Sequence, residues 1–322
     1  MPAAEPSSIP AAEPSRILII KLGALGDFIQ ALGPFAAIRR HHADAHITLL
    51  TADPFAAFAA ASDYFNDVWT GGRPAGLDLV GWFGLRRRLR QGGFGRVYDL
   101  QTSARSSFYY RLFWPDSYPQ WSGIAAGCSH PHDNPRRDFM HTIERQAEQL
   151  QMAGIAAVPP PDLSWVKANI GRLRLGDRFA LLVPGGAAHR PGKRWPGERF
   201  GGLARWLAGR RIEPVLLGGK AEASLLDTVA GGRPGIRSLA GKTDLFDIAA
   251  LADAAILAVG NDTGPMHLIA AAGCPSLVLY SDDSDPALCG QRGADVTILR
   301  RRRLSSLSVE EVTGKLTNHL AS

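Results

Sequence analysis

Short apolar runs, each followed by a turn signal and then by helical spacing, recur along the chain from Arg16 onward. Ile17 Leu18 Ile19 Ile20 is the first, a buried strand by its uninterrupted apolar character. The turn Lys21 Leu22 Gly23 Ala24 Leu25 Gly26 Asp27 leads from it into a helix expected to carry Phe28, Ile29, Leu32, Phe35 and Ala36 on one face. A strand at 46–51, another at 97–100 and a helix over 139–152, capped by Asp138 and stopped by Gly154, continue the alternation. Ala157 Val158 Pro159 Pro160 Pro161 Asp162 then interrupts it, since three prolines suit neither a helix interior nor a central strand.

A second series follows. Strand 179–183 opens into Pro184 Gly185 Gly186 Ala187, and helix 198–208 carries Phe200, Leu203, Trp206 and Leu207. Strand 214–217 meets Gly218 Gly219 before a helix at 221–229, and Ile236 Arg237 Ser238 Leu239 leads to a helix at 244–252. The run 255–259 is a strand that turns through Gly260 Asn261 Asp262 Thr263 Gly264 Pro265 Met266 His267 into a helix ending at Gly273, with Pro265 at its first position. Strand 276–280, the acidic loop 281–286 and a last helix reaching Leu320, whose start has the Ser308 and Glu311 capping spacing, complete the chain.

Strands alternating with helices imply parallel sheets covered on both faces. The expected architecture is therefore α/β, with two doubly wound, Rossmann-like domains facing a central cleft: a disordered tail at 1–15, a first domain at 16–165 and a second at 166–322. The tail carries Pro Ala Ala Glu Pro Ser twice, with no apolar face to bury. Ligands of such sheets sit beyond the carboxyl ends of the strands, where every glycine turn above falls.

Composition narrows the chemistry. A formal charge of +6 favours anionic partners, but neither a helix-turn-helix pattern nor an aromatic RNA-binding signature accompanies it, so nucleic acid is not expected. No apolar run approaches the roughly 18 residues that cross a bilayer, and the first residues lack a basic start with an apolar segment; a cytoplasmic protein is expected. Three scattered cysteines, Cys128, Cys274 and Cys289, read as reduced thiols. Arg86, Arg87, Arg88, Arg90, Arg96, Arg105 and Arg111 form either solvated faces or a cradle for an anionic substrate or anionic lipid headgroups.

The turns suggest the rest. Gly23 and Gly26 are spaced GxxG rather than GxGxxG, and Asp53 lies too far on for a dinucleotide fold; a P-loop pattern is absent. Asp27, at a helix start, is either a plain cap or a base for a substrate hydroxyl. Lys193, between a glycine turn and a helix, is suited to neutralising a diphosphate. The helix start at Thr263 and Gly264 offers free N–H groups and the positive end of a dipole to an anion, while Glu222 is placed either to hold ribose or sugar hydroxyls or to cap. Cys128, His130, His132 and Asp133 are metal-ligand types, but interleaved prolines and the lack of a second cluster favour a polar loop.

Taken together, these residues resemble glycosyltransferase family nine, the ADP-heptose:lipopolysaccharide heptosyltransferases. The likeness rests on 17–27, on 99–106 with Arg105, on Pro184 Gly185 with Lys193 Arg194 Trp195 Pro196, on 218–222, and on 260–267. The resemblance implies the GT-B arrangement and an inverting, metal-independent transfer of heptose from ADP-heptose to a hydroxyl of the lipopolysaccharide inner core, with no cofactor. It implies Asp27 as the general base, Lys193, Thr263 and Gly264 on the diphosphate, and Asp262 with His267 on sugar hydroxyls. Gly185 and Glu222 would complete the donor site, and Gly26, Arg87 and Arg105 the acceptor site. A peripheral contact with the inner face of the inner membrane goes with such an acceptor. Another nucleotide sugar or acceptor, or a non-catalytic nucleotide-sugar-binding protein, are the alternatives. The acidic loop at 281–286 and Ala187 Ala188 His189 depart from the family pattern and bear on the donor.

Overall fold

The structure, a computed structural model, describes residues 14–187 and 189–320. The expected tail lies outside the described residues except at its end, where the Ser15 carbonyl accepts a hydrogen bond from His46 at 2.8 Å. Residue 15 is thus part of the first domain.

Among the described residues, twelve strands form two sheets. The first holds β1 (Arg16–Ile20), β2 (His46–Leu50), β3 (Asp67–Trp69), β4 (Arg96–Asp99), β5 (Gln120–Gly123) and β6 (His130–Pro131), in the order β3-β2-β1-β4-β5-β6. The second holds β7 (Phe179–Val183), β8 (Glu213–Leu216), β9 (Arg237–Ser238), β10 (Leu257–Asn261), β11 (Ser276–Tyr280) and β12 (Val296–Arg300), in the order β12-β11-β10-β7-β8-β9. All neighbours are parallel: Ile17 lies opposite Ile47 on one side and Arg96 on the other, and Val259 lies between Leu182 and Leu277. Each sheet thus repeats one doubly wound order, whose direction reverses between β1 and β4 in the first and between β7 and β10 in the second. At those two points the connecting loops part and leave a crevice.

The helices of the first unit are α1 (Leu25–Ile29), α2 (Leu32–His41), α3 (Asp53–Ala60), α4 (Leu79–Gln91), α5 (Ala104–Arg111) and α6 (Thr142–Met152). Those of the second are α7 (Gly197–Ala208), α8 (Ala223–Ala230), α9 (Leu245–Ala254), α10 (Gly264–Ala271), α11 (Pro286–Cys289) and α12 (Val309–Leu320). With helices on both faces, central strands lose all contact with water, which is why β7, β10 and β11 are buried at every position. One apolar cluster runs from Ile17, Phe28 and Phe58 across to Val183, Met266 and Leu268, so the two units share core. Phe58 packs at that contact, its ring centroid 4.9 Å from that of Trp165 in the connecting segment and 5.1 Å from that of Phe246 in α9. Its burial contributes roughly 2 kcal/mol. The segment between α6 and β7, where the boundary at 165 was expected, holds a single 3₁₀ turn, Ile170–Leu173.

Four local expectations are corrected. The helix expected after Asp27 breaks into α1 and α2, because Pro34 has no N–H for the Gln30 carbonyl; proline is tolerated instead in the first turn of α2. The helix expected at 139 begins at Thr142, capped by His141 Nδ1 accepting from the Ile143 N–H at 3.2 Å, while exposed Asp138 pairs with Arg137. Helix α10 begins at Gly264, one residue before Pro265. A 3₁₀ turn, Lys220–Glu222, precedes α8. The Ser308 and Glu311 capping box is present, each backbone N–H donating to the other's side chain.

Candidate functional site

The two crevices face each other across one cavity of about 740 Å³. From the first unit, the start of α1 contributes Ala24, Gly26 and Asp27; from the second come the turns after β7, β8 and β10. Gly26, Asp27, Gly185, Lys193, Glu222, Asp262, Thr263, Gly264 and His267, spread over more than two hundred residues of sequence, line this single space.

The contact between the units is set by glycine. A Cβ on Gly26 would meet the His267 ring at 2.6 Å, and one on Gly264 would meet Leu25 Cβ at 2.7 Å. The starts of α1 and α10 therefore cross at van der Waals distance, and what Gly26 lets approach is the His267 ring of the other domain. Gly23 is a different case: its φ of +112° lies in the left-handed region that glycine alone adopts readily. Asp27 occupies the third position of α1, where Oδ2 accepts the Ala24 N–H at 3.2 Å. Its Oδ1 takes no hydrogen bond among the described residues, and the side chain is half-buried at the cavity wall.

Behind Asp27 the site is strongly charged. Lys21 is buried, its Nζ donating to the Leu100 carbonyl at 3.0 Å, and burial lowers its pKa to about 8 although Asp27 and Asp99 pull it back up. Asp99 is buried too and is pushed up to about 6 by desolvation, while its Oδ1 accepts the N–H groups of Thr102 and Gln101. Asp99 thus anchors the turn after β4. Arg145 of α6, which sequence reading did not single out, lies within electrostatic range of Asp27; burial lowers its pKa and that carboxylate raises it.

On the wall formed by the second domain the charges are paired. Lys193 Nζ lies 2.7 Å from Asp262 Oδ2, both side chains largely buried. Asp262 Oδ2 also accepts from Ser284 Oγ at 2.7 Å, and Oδ1 accepts from the Tyr280 hydroxyl at 3.0 Å and Gln291 Nε2 at 3.3 Å. Burial alone would raise this carboxyl; hydrogen bonds from Lys193, Ser284 and Tyr280 outweigh it and hold the pKa below the ordinary value. Both oxygens are occupied, so Asp262 stands behind Lys193 as its anchor rather than open to sugar hydroxyls. Ser284 brings the acidic loop into the site, while Asp282 and Asp285 turn away to Arg300 at 3.3 and 3.5 Å.

The glycine turns are held by side chains. Glu222 Oε1 accepts the Gly186 N–H at 3.0 Å and Oε2 the Gly219 N–H at 2.8 Å, so one carboxylate ties two strand-end turns together. A Cβ on Gly185 would collide with Glu222 Oε1. Buried Asn261 does the same elsewhere, donating to the Pro184 and Gly185 carbonyls at 2.8 and 3.1 Å and accepting the Trp195 N–H at 3.0 Å. At α10, Thr263 Oγ1 and His267 Nδ1 are buried without a hydrogen-bond partner among the described residues. Unpartnered polar atoms beside a helix start mark where a ligand completes the bonding. Arg190 also lines the cavity and went unnoticed in the sequence; it stands one 3₁₀ turn before Lys193.

His267 is neutral in the fold, burial having taken its pKa to about 4. The unfolded chain binds a proton near pH 6.5 and the folded one does not. Stability therefore falls as pH drops from 6.5 towards 4, by about 3 kcal/mol from this group. Urea unfolding across that range is expected to show a shallower acid slope for His267→Gln than for the parent chain; identical slopes would remove His267 as the source.

The arginine run, read as either solvated faces or an anion cradle, does not line the cavity. Arg87 and Arg105 lie outside the cavity: Arg87 is exposed with Gln91 at 3.4 Å, and Arg105 donates to the Pro74 carbonyl at 2.9 Å beside Trp82. Arg88 covers Trp69, and Arg90 is held in a two-bond pair by Asp116. Helix and loop geometry turns neighbours in sequence to different faces. Nor do the ligand types at 128–133 converge: His132 bonds Glu148 at 2.8 Å, His130 bonds Ser129, and burial raises the Cys128 thiol.

Comparison with known proteins agrees with this geometry. The sequence profile of glycosyltransferase family 9 (heptosyltransferase) matches residues 82–314. Lipopolysaccharide heptosyltransferase 3 of Escherichia coli is 25% identical over 165 residues, 45% of this chain and 48% of that protein. Lipooligosaccharide heptosyltransferase 2 of Haemophilus influenzae is 31% identical over 115 residues, 34% of this chain and 33% of that protein. The chain spans half or less of the length of the curated relatives it matches. Among solved structures, a glycosyl transferase family 9 protein from Veillonella parvula superposes with a TM-score of 0.81 at 20% identity, covering 96% of this chain and 98% of that one. The E. coli heptosyltransferase WaaC with ADP gives 0.76 at 21% identity, covering 94% and 99%. These likenesses show the GT-B fold.

Proposed function

Because the chain belongs to glycosyltransferase family 9, we propose that it is an inverting glycosyltransferase that moves a heptose from ADP-heptose to a hydroxyl of the lipopolysaccharide inner core. The observation that carries this reading is the meeting, in one cavity, of an anion-binding helix start with Lys193 on one wall and a carboxylate with a free oxygen on the other. Asp27 takes the proton from the acceptor hydroxyl as that oxygen attacks the anomeric carbon and the bond to the diphosphate breaks on the opposite face. Lys193 and the α10 start, with Thr263 and Gly264, stabilise the charge on the departing diphosphate. Asp262 acts through Lys193, as its anchor. Glu222 and Gly185 shape the nucleotide pocket, and neutral His267 closes it against Gly26. Arg87 and Arg105 lie outside this cavity.

A solved complex of the E. coli heptosyltransferase WaaC carries ADP-2-deoxy-2-fluoro heptose, and ADP-heptose as donor suits a site with a cation and a helix dipole at the diphosphate. A panel of nucleotide sugars tests it: ADP-heptose is expected to raise the melting temperature, because a ligand of the native state alone stabilises it by mass action. With a deacylated core acceptor present, ADP should be released and the product linkage inverted. A shift from a different nucleotide sugar alone would reassign the donor. The reading places the protein on the cytoplasmic side of the inner membrane; among the described residues no helix is long and apolar enough to span one.

A further inference from the structure

The first domain leaves a group of large apolar side chains in water. Leu77 is 95% exposed, Val80 84%, Phe83 66% and Trp114 64%. Leu77 and Val80 lie along the chain beside a groove of about 420 Å³ that Leu79, Trp82, Phe83, Phe108 and Leu112 line together with Arg86. A patch of this kind on a folded chain marks an interaction surface. Its position follows from topology. Chain leaving β3 at Trp69 reaches α4 through the loop at the carboxyl edge of the sheet, the edge that also carries Asp27. The apolar start of α4 therefore stands on the rim of the cleft, and Arg105, at the start of α5, is tied to the same loop through Pro74.

The charges around the patch are mostly positive. Arg73, Arg87 and Arg111 are exposed and make no ion pair among the described residues, and Arg86 bonds only a carbonyl, that of Trp114. Two acids flank them. Asp78 caps α4 through the Gly81 N–H at 2.9 Å, and Asp116 is neutralised by Arg90. We propose that this surface docks the protein on a bilayer bearing anionic lipid, with Leu77, Val80 and Phe83 entering the headgroup boundary and Arg86, Arg87 and Arg111 at the level of the phosphates.

Charge and shape favour a bilayer over a second copy. A two-fold dimer through this face would set the arginines of one copy against those of the other. Side chains as exposed as Leu77 and Val80 protrude, and a fluid interface takes them in without a matched cavity; apolar residues beside arginines are the usual composition of such a contact. The inference rests on the proposed acceptor being a glycolipid and adds to it the face that presents the acceptor's sugar to the cleft.

Co-sedimentation of the full chain with phosphatidylglycerol–phosphatidylethanolamine vesicles free of glycolipid tests it. The parent chain is expected to bind these, to bind all-phosphatidylcholine vesicles far less, and to be released by salt. Val80→Ser with Phe83→Ser, and separately Arg86→Gln with Arg111→Gln, should each weaken vesicle binding about tenfold or more. Because Val80 and Phe83 lie in solvent, their double variant should keep its melting temperature and its turnover of a deacylated acceptor, and lose turnover of the same acceptor carried in vesicles. A parent chain that stays in the supernatant, or variants that bind as it does, overturns the proposal. So does a parent dimer that the Val80 and Phe83 variant splits, which would assign the face to a second copy. Vesicle binding lost in the variants, with no transfer by any of them, supports the docking and sinks the transferase reading alone.

Discussion

Asp27→Asn is expected to lower turnover by about a thousandfold while leaving donor affinity within about twofold. Asparagine keeps the shape and, through its side-chain oxygen, the hydrogen bond from the Ala24 N–H that Oδ2 accepts at 3.2 Å. The start of α1 should therefore survive, and with it the contact of Gly26 on His267 that holds the domains together. What is lost is the negative oxygen facing the cavity, which is all that a general base contributes. In the proposed arrangement the donor would lie against the other wall, which Lys193 and the start of α10 line, so its binding has no reason to change. Steady-state ADP release with acceptor, beside calorimetry with donor alone, separates the two effects. Turnover close to the parent value would leave Asp27 as the helix cap that its geometry also describes.

The sequence carried the fold because burial on both faces of a parallel sheet writes itself as unbroken apolar runs, as at Ile17 to Ile20 and at β7 and β11. Elements without that signature were missed: β3 is three residues long, β5 reads Gln-Trp-Ser-Gly, and α4 is interrupted by Gly81 and Gly84, with much of its apolar surface facing water. Pro34 was a legible signal for the break before α2. His141 as a cap was not, since histidine serves there only because its ring reaches the Ile143 N–H. The site was legible as glycine turns at strand ends, for the parallel topology alone brings them to one edge. Pairing was not legible. Sequence spacing cannot say that the carboxylate at 262 turns to the lysine at 193 rather than to a ligand, or that the arginines between 86 and 111 diverge, because both depend on contacts made across the fold.

That pairing makes the second large effect specific. Lys193→Ala is expected to weaken ADP binding by about a hundredfold, more than an exposed phosphate contact would give, because two changes act together. The cation is removed, and the Asp262 carboxylate it covered, 7% exposed, is left facing the diphosphate with Tyr280, Ser284 and Gln291 as its remaining partners. Leaving that charge unpaired also destabilises the fold by about 3 kcal/mol. The two contributions separate in a double variant. Asp262→Asn keeps an oxygen for the Tyr280 hydroxyl and removes the anion, so Lys193→Ala with Asp262→Asn should recover about tenfold of the lost affinity and part of the stability. Calorimetry with ADP and urea unfolding measure both. If Asp262 instead held sugar hydroxyls, Asp262→Asn would weaken the nucleotide sugar and leave ADP itself unaffected, and the double variant would bind ADP no better than Lys193→Ala. If the double variant recovers affinity, the recognition element is the coupled pair, with the lysine meeting the phosphates and the aspartate fixing where it stands.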